Sequence, residues 1–214
     1  MVLQQLLPEA IVTTYDLYDQ GELLRLLKWA DVVCVGSGIG TTEKARKILR
    51  ATLENVRVPC LVDADGLNLI AAHKKYLDAL SVDDLVFTPH MMEMSRLTGK
   101  TVADIKEHMI ESAKEYAIQH SCICILKDAR TVVTDGQKVY INCTGNDGMS
   151  TGGCGDVLTG LIAGMTAMGL DAFEAACLSV YVHGKAGDYA ASGKGRVGMT
   201  AADVSEAIAY VLKR

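Results

Sequence analysis

Short apolar runs alternate with segments of helical periodicity through the first 130 residues. The runs are nearly continuous in apolar side chains, which is typical of strands buried on both faces. Between the runs, apolar residues recur at three- and four-residue spacing, which predicts amphipathic helices. The predicted strands are 10–14, 32–35, 60–62, 85–88 and 123–126, and the predicted helices are 22–29, 42–55, 67–80 and 102–120. This alternation predicts an α/β fold, with a mainly parallel sheet flanked by helices on both faces.

The pattern changes after residue 130. Two further apolar runs, 131–134 and 139–142, are separated by a segment with Asp-Gly in its turn, which predicts a β-hairpin. Helical periodicity then predicts three helices at about 155–168, 172–187 and 200–213, with Asp171 and Thr200 as N-caps. Since no repeat, low-complexity tract or linker interrupts this order, we expect one domain over residues 1–214.

Charge and cysteine content exclude several classes of function. The formal charge is −5 and basic residues form no block, so we expect no nucleic-acid partner. The seven cysteines are odd in number and lack C-x-x-C spacing, which favours packing residues in a reducing compartment. The uncharged stretch 158–170 is shorter than the ~20 residues that span a bilayer, and the start lacks a signal-peptide pattern. We therefore expect a cytoplasmic protein without membrane contact.

A glycine-rich loop runs directly into a predicted helix at residues 145–160. The first amides of a helix lack helical partners, and Gly152, Gly153 and Gly155 let the backbone approach an anion closely. Asp156, at the start of that helix, can accept a proton from an attacking hydroxyl while the amides stabilise developing negative charge. The alternative is that Asp156 only complements the helix dipole, and local chemistry leaves it open.

Polar residues and glycines follow three of the predicted strands. Residues 36–40 form either a second backbone loop for an anion or an ordinary turn between strand and helix. Asp63 and Asp65 follow the next strand, where open α/β sheets bind ligands, and Asn68 lies within reach of the same edge. Asp65 as a plain helix cap remains an alternative. His90 follows a third strand, and it is either a ligand contact or a hydrogen-bonded structural histidine.

Five segments in this order resemble those of the NAD(P)H-hydrate dehydratases, a family of the ribokinase-like superfamily. The most specific segment is the loop at 145–160, which ends in Gly-Asp-Val-Leu-Thr-Gly. The other four are residues 35–40 (VGSGIG), 63–68 (DADGLN), 88–97 (TPHMMEMSRL) and 126–131 (LKDART). The resemblance implies a ribokinase-like fold.

The resemblance also implies an activity. Such an enzyme dehydrates the S-epimer of NADH or NADPH hydrate with ADP or ATP and Mg²⁺, and it releases phosphate and AMP or ADP. This reaction repairs damaged nicotinamide cofactor. The resemblance further implies a homo-oligomer, tetrameric or larger, and a functional link to an NAD(P)H-hydrate epimerase. Members carry an additional N-terminal strand–helix segment, which we expect to be missing here.

The resemblance assigns roles to individual residues. Asp156 is the catalytic base, and it contacts the substrate together with Gly38, Asn68 and His90; Glu93 is assigned to magnesium. The residues assigned to the nucleotide are Lys127, Asp128, Ala129, Arg130, Thr131, Gly152, Gly153, Cys154 and Gly155.

The sequence departs from the family pattern at four places near these residues. Ser37 and Ile39 stand for a usual proline and leucine, Asp128 for a glycine, Met91-Met92 for proline-glycine, and Cys154 for a threonine. Two alternatives to a dehydratase remain. One is a ribokinase-like kinase that stops at a phosphorylated small molecule, and the other is a non-catalytic nucleotide-binding subunit.

Overall fold

One six-stranded sheet with helices on both faces organises the chain. The computed structural model describes residues 5–13, 18–79, 82 and 84–213. The strands are β1 Val33–Val35, β2 Cys60–Val62, β3 Leu85–Phe87, β4 Ile123–Leu126, β5 Val132–Thr134 and β6 Val139–Ile141. The helices are α1 Gln20–Trp29, α2 Glu43–Asn55, α3 Asp65–Ala72, α4 Met91–Thr98, α5 Val102–Glu107, α6 Met109–His120, α7 Cys154–Ala167, α8 Ala172–Gly198 and α9 Ala201–Leu212, with short 3₁₀ helices at Lys74–Ala79 and Asp147–Met149.

The strands lie in the sheet in the order of the sequence. β1 to β4 are parallel, and β5 and β6 add antiparallel to β4 as a hairpin. Connections between neighbouring parallel strands are right-handed. Because β1 to β4 follow one another in the same direction across the sheet, their connecting helices lie on the same face. The sheet confirms the predicted mainly parallel α/β fold with a hairpin after it.

Two separate cores cover the two faces of the sheet. On one face, α2 to α6 bury side chains such as Leu49, Ile70 and Ile105 against the sheet. On the other face, α7 and α8 bury residues such as Ile162 and Val180. Strand side chains alternate between the two cores, since successive residues of a strand point to opposite faces. Every residue of β2, β3 and β4 is buried, which explains why their sequences show continuous apolar runs rather than alternation.

Side chains cap the starts of three helices, among them the two caps predicted at Asp171 and Thr200. Thr42 accepts a hydrogen bond from the amide of Ala45, and Asp171 accepts from the first amides of α8. Thr200 and Asp203 form a reciprocal capping box at the start of α9. These side chains satisfy amides that the first helical turn leaves without partners.

Four predicted elements differ from those in the structure. The strand predicted at 10–14 is absent over residues 10–13, where Ile11 is 83% exposed and pairs with no strand, and residue 14 lies outside the described part. The helix predicted at 67–80 ends at Ala72, and a 3₁₀ helix follows it. The helix predicted at 102–120 is divided at His108.

The helix predicted at 172–187 continues to residue 198, with non-helical backbone at Gly195 (φ 73°, ψ 157°). None of the helices in the described ranges is long and apolar enough to cross a membrane.

Candidate active site

The carboxyl ends of the four parallel strands gather the motif segments at one edge of the sheet. The amide of Lys127 donates to the carbonyl of Pro89 at 2.8 Å, which extends the β3–β4 pairing beyond the strands. The amide of Asp63 donates to the carbonyl of Val35 at 3.2 Å, which does the same for β1 and β2. Ligands of open α/β sheets bind at this edge.

Asp63 connects three elements at the centre of this edge. Its Oδ1 accepts hydrogen bonds from Thr88 Oγ1 at 2.6 Å and Lys127 Nζ at 3.0 Å, and its Oδ2 accepts from Thr159 Oγ1 at 3.0 Å. The side chain is 3% exposed. Burial alone would raise the pKa of Asp63, but the charge of Lys127 and the three hydrogen bonds hold this pKa below its ordinary value. Asp63 is therefore a buried, ionised carboxylate.

The ammonium group of Lys127 lies at the start of α7. Its Nζ lies 3.6 Å from the position that a Cβ would take on Gly155. Gly153 stands at the N-cap with φ 91°, a left-handed backbone that glycine adopts at low cost, and it offers no capping side chain. The amides of Gly155 and Asp156 have no acceptor among the described residues. Free amides, the helix dipole and Lys127 together make this point favourable for an anion.

Asp156 projects from the same turn into solvent. Its side chain is exposed, and it forms no hydrogen bond or ion pair with any residue in the described part of the chain. Asp156 therefore does not cap α7 through a hydrogen bond, whereas Asp63 accepts three hydrogen bonds. An unpaired carboxylate beside an anion site is available to accept a proton.

The loop that leads into α7 is held on α8. Asp188 accepts hydrogen bonds from the amide of Gly145 and from Asn146 Nδ2, both at 3.1 Å. Thr144 Oγ1 donates to the carbonyl of Tyr181 at 3.0 Å, and a Cβ on Gly184 would overlap Thr144. The sequence analysis did not single out Asp188. Its only signal was the small residues at the end of the helix predicted at 172–187, which indicate a close approach of another segment.

His90 and Glu93 form a capping box at the start of α4. His90 Nδ1 accepts from the amides of Met92 and Glu93 at 3.1 and 3.2 Å, and Glu93 Oε2 accepts from the amide of His90 at 2.8 Å. Burial raises the pKa of Glu93, against the lowering effects of that hydrogen bond and of Lys127. Because Nδ1 is an acceptor, a neutral His90 carries its proton on Nε2. The imidazole is half exposed, and its Nε2 lies 3.4 Å from Glu93 Oε1, so His90 has a structural role and also an edge that solvent can reach.

Asn68 and the first glycine loop complete the edge. Asn68 Oδ1 accepts from Arg96 Nη1 at 2.7 Å, a partner that the sequence analysis missed, and its NH₂ group remains free to donate. Asp65 Oδ2 accepts from the amide of Gly40 at 3.0 Å, which holds the loop. A Cβ on Gly36 (φ 131°) would overlap the carbonyl of Asp63, so this loop cannot carry a side chain there. Gly38, the residue assigned to the substrate, is exposed in the same loop.

The remaining residues assigned to the nucleotide lie beside this centre. The turn after β4 is exposed from Asp128 to Arg130, and Thr131 Oγ1 donates to the carbonyl of Asp128 at 3.2 Å. Gly152 and Gly153 are exposed, and Cys154 is buried under the loop. The structure thus brings Lys127 and Gly155 together, and it leaves Asp128 to Arg130 on the neighbouring surface.

This sheet, with an anion-binding helix start facing its carboxyl edge, defines a ribokinase-like fold. Ribokinase from Thermotoga maritima superposes with a TM-score of 0.54 over 89% of this chain and 59% of that chain, at 15% identity. At such identity the likeness concerns the fold alone.

The family is also defined. The Carb_kinase family model, described as NAD(P)H-hydrate dehydratase, matches residues 1–210, and the chain belongs to this family. A bifunctional NAD(P)H-hydrate repair enzyme Nnr from Moorella thermoacetica is 45% identical over 193 residues, which are 89% of this chain and 36% of that protein. An ADP/ATP-dependent NAD(P)H-hydrate dehydratase from Bacillus subtilis, crystallised with ATP and Mg²⁺, superposes with a TM-score of 0.77 at 29% identity, over 86% of this chain and 64% of that chain. The chain spans about a third of the length of the Moorella relative.

Proposed function

We propose that this chain is the catalytic domain of an NAD(P)H-hydrate dehydratase, a single domain over residues 1–214. It would use ADP or ATP to convert the S-epimer of NADH or NADPH hydrate back to the reduced cofactor. The observation that carries this proposal is the exposed, unpaired Asp156 beside the free amides of Gly155 and Asp156 and the charge of Lys127. Membership of the family supports the choice of substrate.

In the first step the substrate hydroxyl attacks the terminal phosphorus of the nucleotide. The new O–P bond forms as the bridging P–O bond breaks, so AMP leaves from ADP, or ADP leaves from ATP. Asp156 takes the hydroxyl proton as general base. The amides at the start of α7 and Lys127 stabilise the charge on the transferring phosphoryl group.

In the second step the phosphorylated intermediate loses phosphate. The C–O bond breaks with its electron pair on the departing phosphate, and a ring proton is lost as the ring double bond is restored. Transfer comes first because hydroxide is a poor leaving group and phosphate is a good one. The product is NADH or NADPH.

Magnesium fits this arrangement as a partner of the nucleotide. Mg²⁺ typically binds one or two carboxylates together with substrate phosphates, and its chemistry here is to neutralise phosphate charge. Within the described residues, no group of three or more His, Cys, Asp or Glu side chains forms a metal cage. We propose Glu93 as a carboxylate for the ion. Its side chain is 6% exposed, its Oε2 accepts from the amide of His90, and its Oε1 lies 3.4 Å from His90 Nε2, so it would reach the ion through water, of which Mg²⁺ usually keeps several.

The substrate and nucleotide would occupy neighbouring parts of the edge. His90 Nε2, which is half exposed beside Glu93 Oε1, and the side-chain amide of Asn68 would donate to the nicotinamide hydrate, beside Gly38. The nucleotide would extend from residues 152–155 along Lys127 to Thr131. The relative from Bacillus subtilis, crystallised with ATP and Mg²⁺, supports a nucleotide in this fold.

Partners and location form a further part of the proposal. We propose a cytoplasmic homo-oligomer, tetrameric or larger, that acts together with an NAD(P)H-hydrate epimerase. The word "bifunctional" in the name of the Moorella relative supports a second activity in the same repair. Light scattering tests the oligomeric state.

The decisive test compares the wild type with Asp156→Asn. We expect the wild type, given NADH hydrate, Mg²⁺ and ADP or ATP, to form NADH, which is seen as a rise in near-ultraviolet absorbance. The variant should be slower by about 10²- to 10⁴-fold, the usual contribution of a general base. Its thermal unfolding should stay unchanged, because Asp156 contacts no other described side chain. Accumulation of a phosphorylated alcohol would favour a kinase, and nucleotide binding without turnover would favour a binding subunit.

A further inference from the structure

Asp63 is not accessible to a ligand. A carboxylate offers about four lone-pair sites, and three of them are used by Thr88, Lys127 and Thr159. The side chain is only 3% exposed, so substrate and metal cannot reach it without displacing these partners. Asp63 is thus neither a base nor a metal ligand, although it lies at the centre of the site.

We propose that Asp63 is the positioning residue of this site, which holds Lys127 beside the start of α7 and fixes, through Thr159, the turn that carries Asp156. This inference rests on the proposed function. It assigns Asp63 two separable tasks, one electrostatic and one mechanical.

The electrostatic task concerns the charge of Lys127. The Lys127 side chain is 21% exposed, and a cation with so little solvent around it needs a nearby anion to stay charged. Asp63 provides that anion at 3.0 Å. The other titratable groups around Lys127 are Glu93 on α4, His183 on α8 and Asp156 beside Gly155 on α7. None of these is hydrogen-bonded to Lys127 among the described residues.

The mechanical task concerns the position of α7. Thr159 lies three residues after Asp156, on the neighbouring position of the next helical turn. A buried helical threonine commonly donates to a carbonyl of its own helix, as Thr166 does to Ile162 at 2.9 Å. Thr159 instead donates to Asp63, 96 residues away in sequence. This bond ties the start of α7 to the end of β2.

Two substitutions separate the two tasks. Asp63→Asn keeps the shape and can accept from Thr88 and Lys127 while it donates to Thr159, so it removes mainly the charge. Thr159→Val removes the tie and leaves the Asp63–Lys127 pair, and Thr159→Ser should restore the tie. Thr166→Val is the matched control, because it removes a buried threonine hydroxyl from the same helix without touching the site.

The electrostatic task is measured on the resting protein. In Asp63→Asn, Lys127 loses its charged partner, so the protons of its ammonium group should exchange with water faster than in the wild type. This exchange is followed by ¹H–¹⁵N NMR of the lysine side chains and assigned with Lys127→Met. An unchanged exchange rate would overturn this half of the inference. Because this readout needs no turnover, an inactive wild type would count against the proposed function and not against the role of Asp63.

The mechanical task is measured as a split between kcat and KM. Thr159→Val should lower kcat by about 10²-fold, the order expected for a displaced catalytic group, with little change in the KM for nucleotide. The proton exchange of the Lys127 ammonium group should stay at the wild-type rate, and Thr159→Ser should recover most of kcat. A loss of kcat no larger than that of Thr166→Val, or no recovery with serine, would overturn this half.

Discussion

Two titratable residues are buried near the site, one as a charged group and one as a neutral group. Asp63 is paired with a cation and two hydroxyls and stays charged. His183 on α8 is 8% exposed, and its Nε2 has no hydrogen-bond partner. Burial, together with the charge of Lys127, lowers the pKa of His183 to about 4. His183 is therefore a neutral core residue.

This neutral histidine predicts a dependence of stability on pH. Between pH 6.5, the ordinary pKa, and about 4, the unfolded chain takes up a proton at His183 that the folded chain does not. The free energy of unfolding should therefore fall as the pH is lowered through this range, by up to about 3 kcal/mol from this group. In His183→Gln this contribution disappears, so urea unfolding from pH 7 to 4 should show a flatter profile. His108→Gln, at an exposed histidine, is the control and should keep the wild-type slope.

At the scale of elements, α8 acts as the support of the anion loop. Gly184 leaves room for Thr144, and Gly187 leaves room for Met149. Gly184→Ala would place a Cβ against the side chain and backbone of Thr144, so the loop must shift. We expect a loss of about 1–3 kcal/mol of unfolding free energy and weaker nucleotide binding, measured by urea unfolding and calorimetry.

A second helical glycine provides the control for that prediction. Gly164 in α7 is exposed, and a Cβ there would meet no atom within 4 Å. Gly164→Ala should therefore raise stability by about 0.5–1 kcal/mol through helix propensity alone. If Gly184→Ala and Gly164→Ala changed the free energy of unfolding and nucleotide binding equally, α8 would not support the loop.

Helices and strands were predictable from the sequence where a single pattern, such as a continuous apolar run, determined them. Continuous apolar runs identified β2 and β4 because both strands are buried on both faces. The predicted end of α8 at Gly187 was wrong for a specific reason, since this glycine makes room for a packed side chain instead of ending the helix. The break at His108 has no glycine or proline nearby to announce it, and Ile105 before the break and Ile110 after it pack into the same core.

At the scale of the whole molecule, the site forms where the two halves of the chain meet. Parallel connections place α2 to α6 on one face, and the hairpin returns the chain so that α7 and α8 cover the other. Each motif was recognisable by itself in the sequence. The pairings that assemble the site, such as Asp63 with Thr159 and Gly145 with Asp188, join residues 96 and 43 positions apart and leave no local signal.

Because the site joins both halves, nucleotide binding should stabilise the whole fold. A ligand at 100 times its Kd that binds only the folded state contributes about 2.7 kcal/mol, or roughly 5–10 °C in Tm for a chain of this size. The rise in Tm with ADP and Mg²⁺ should be the same in Asp156→Asn, since that variant keeps the amides of α7 and Lys127. Lys127→Met should show a smaller rise, because it removes the cation beside Gly155. If Asp156→Asn lost the rise as well, Asp156 would belong to the binding of the nucleotide and not only to the transfer of the proton.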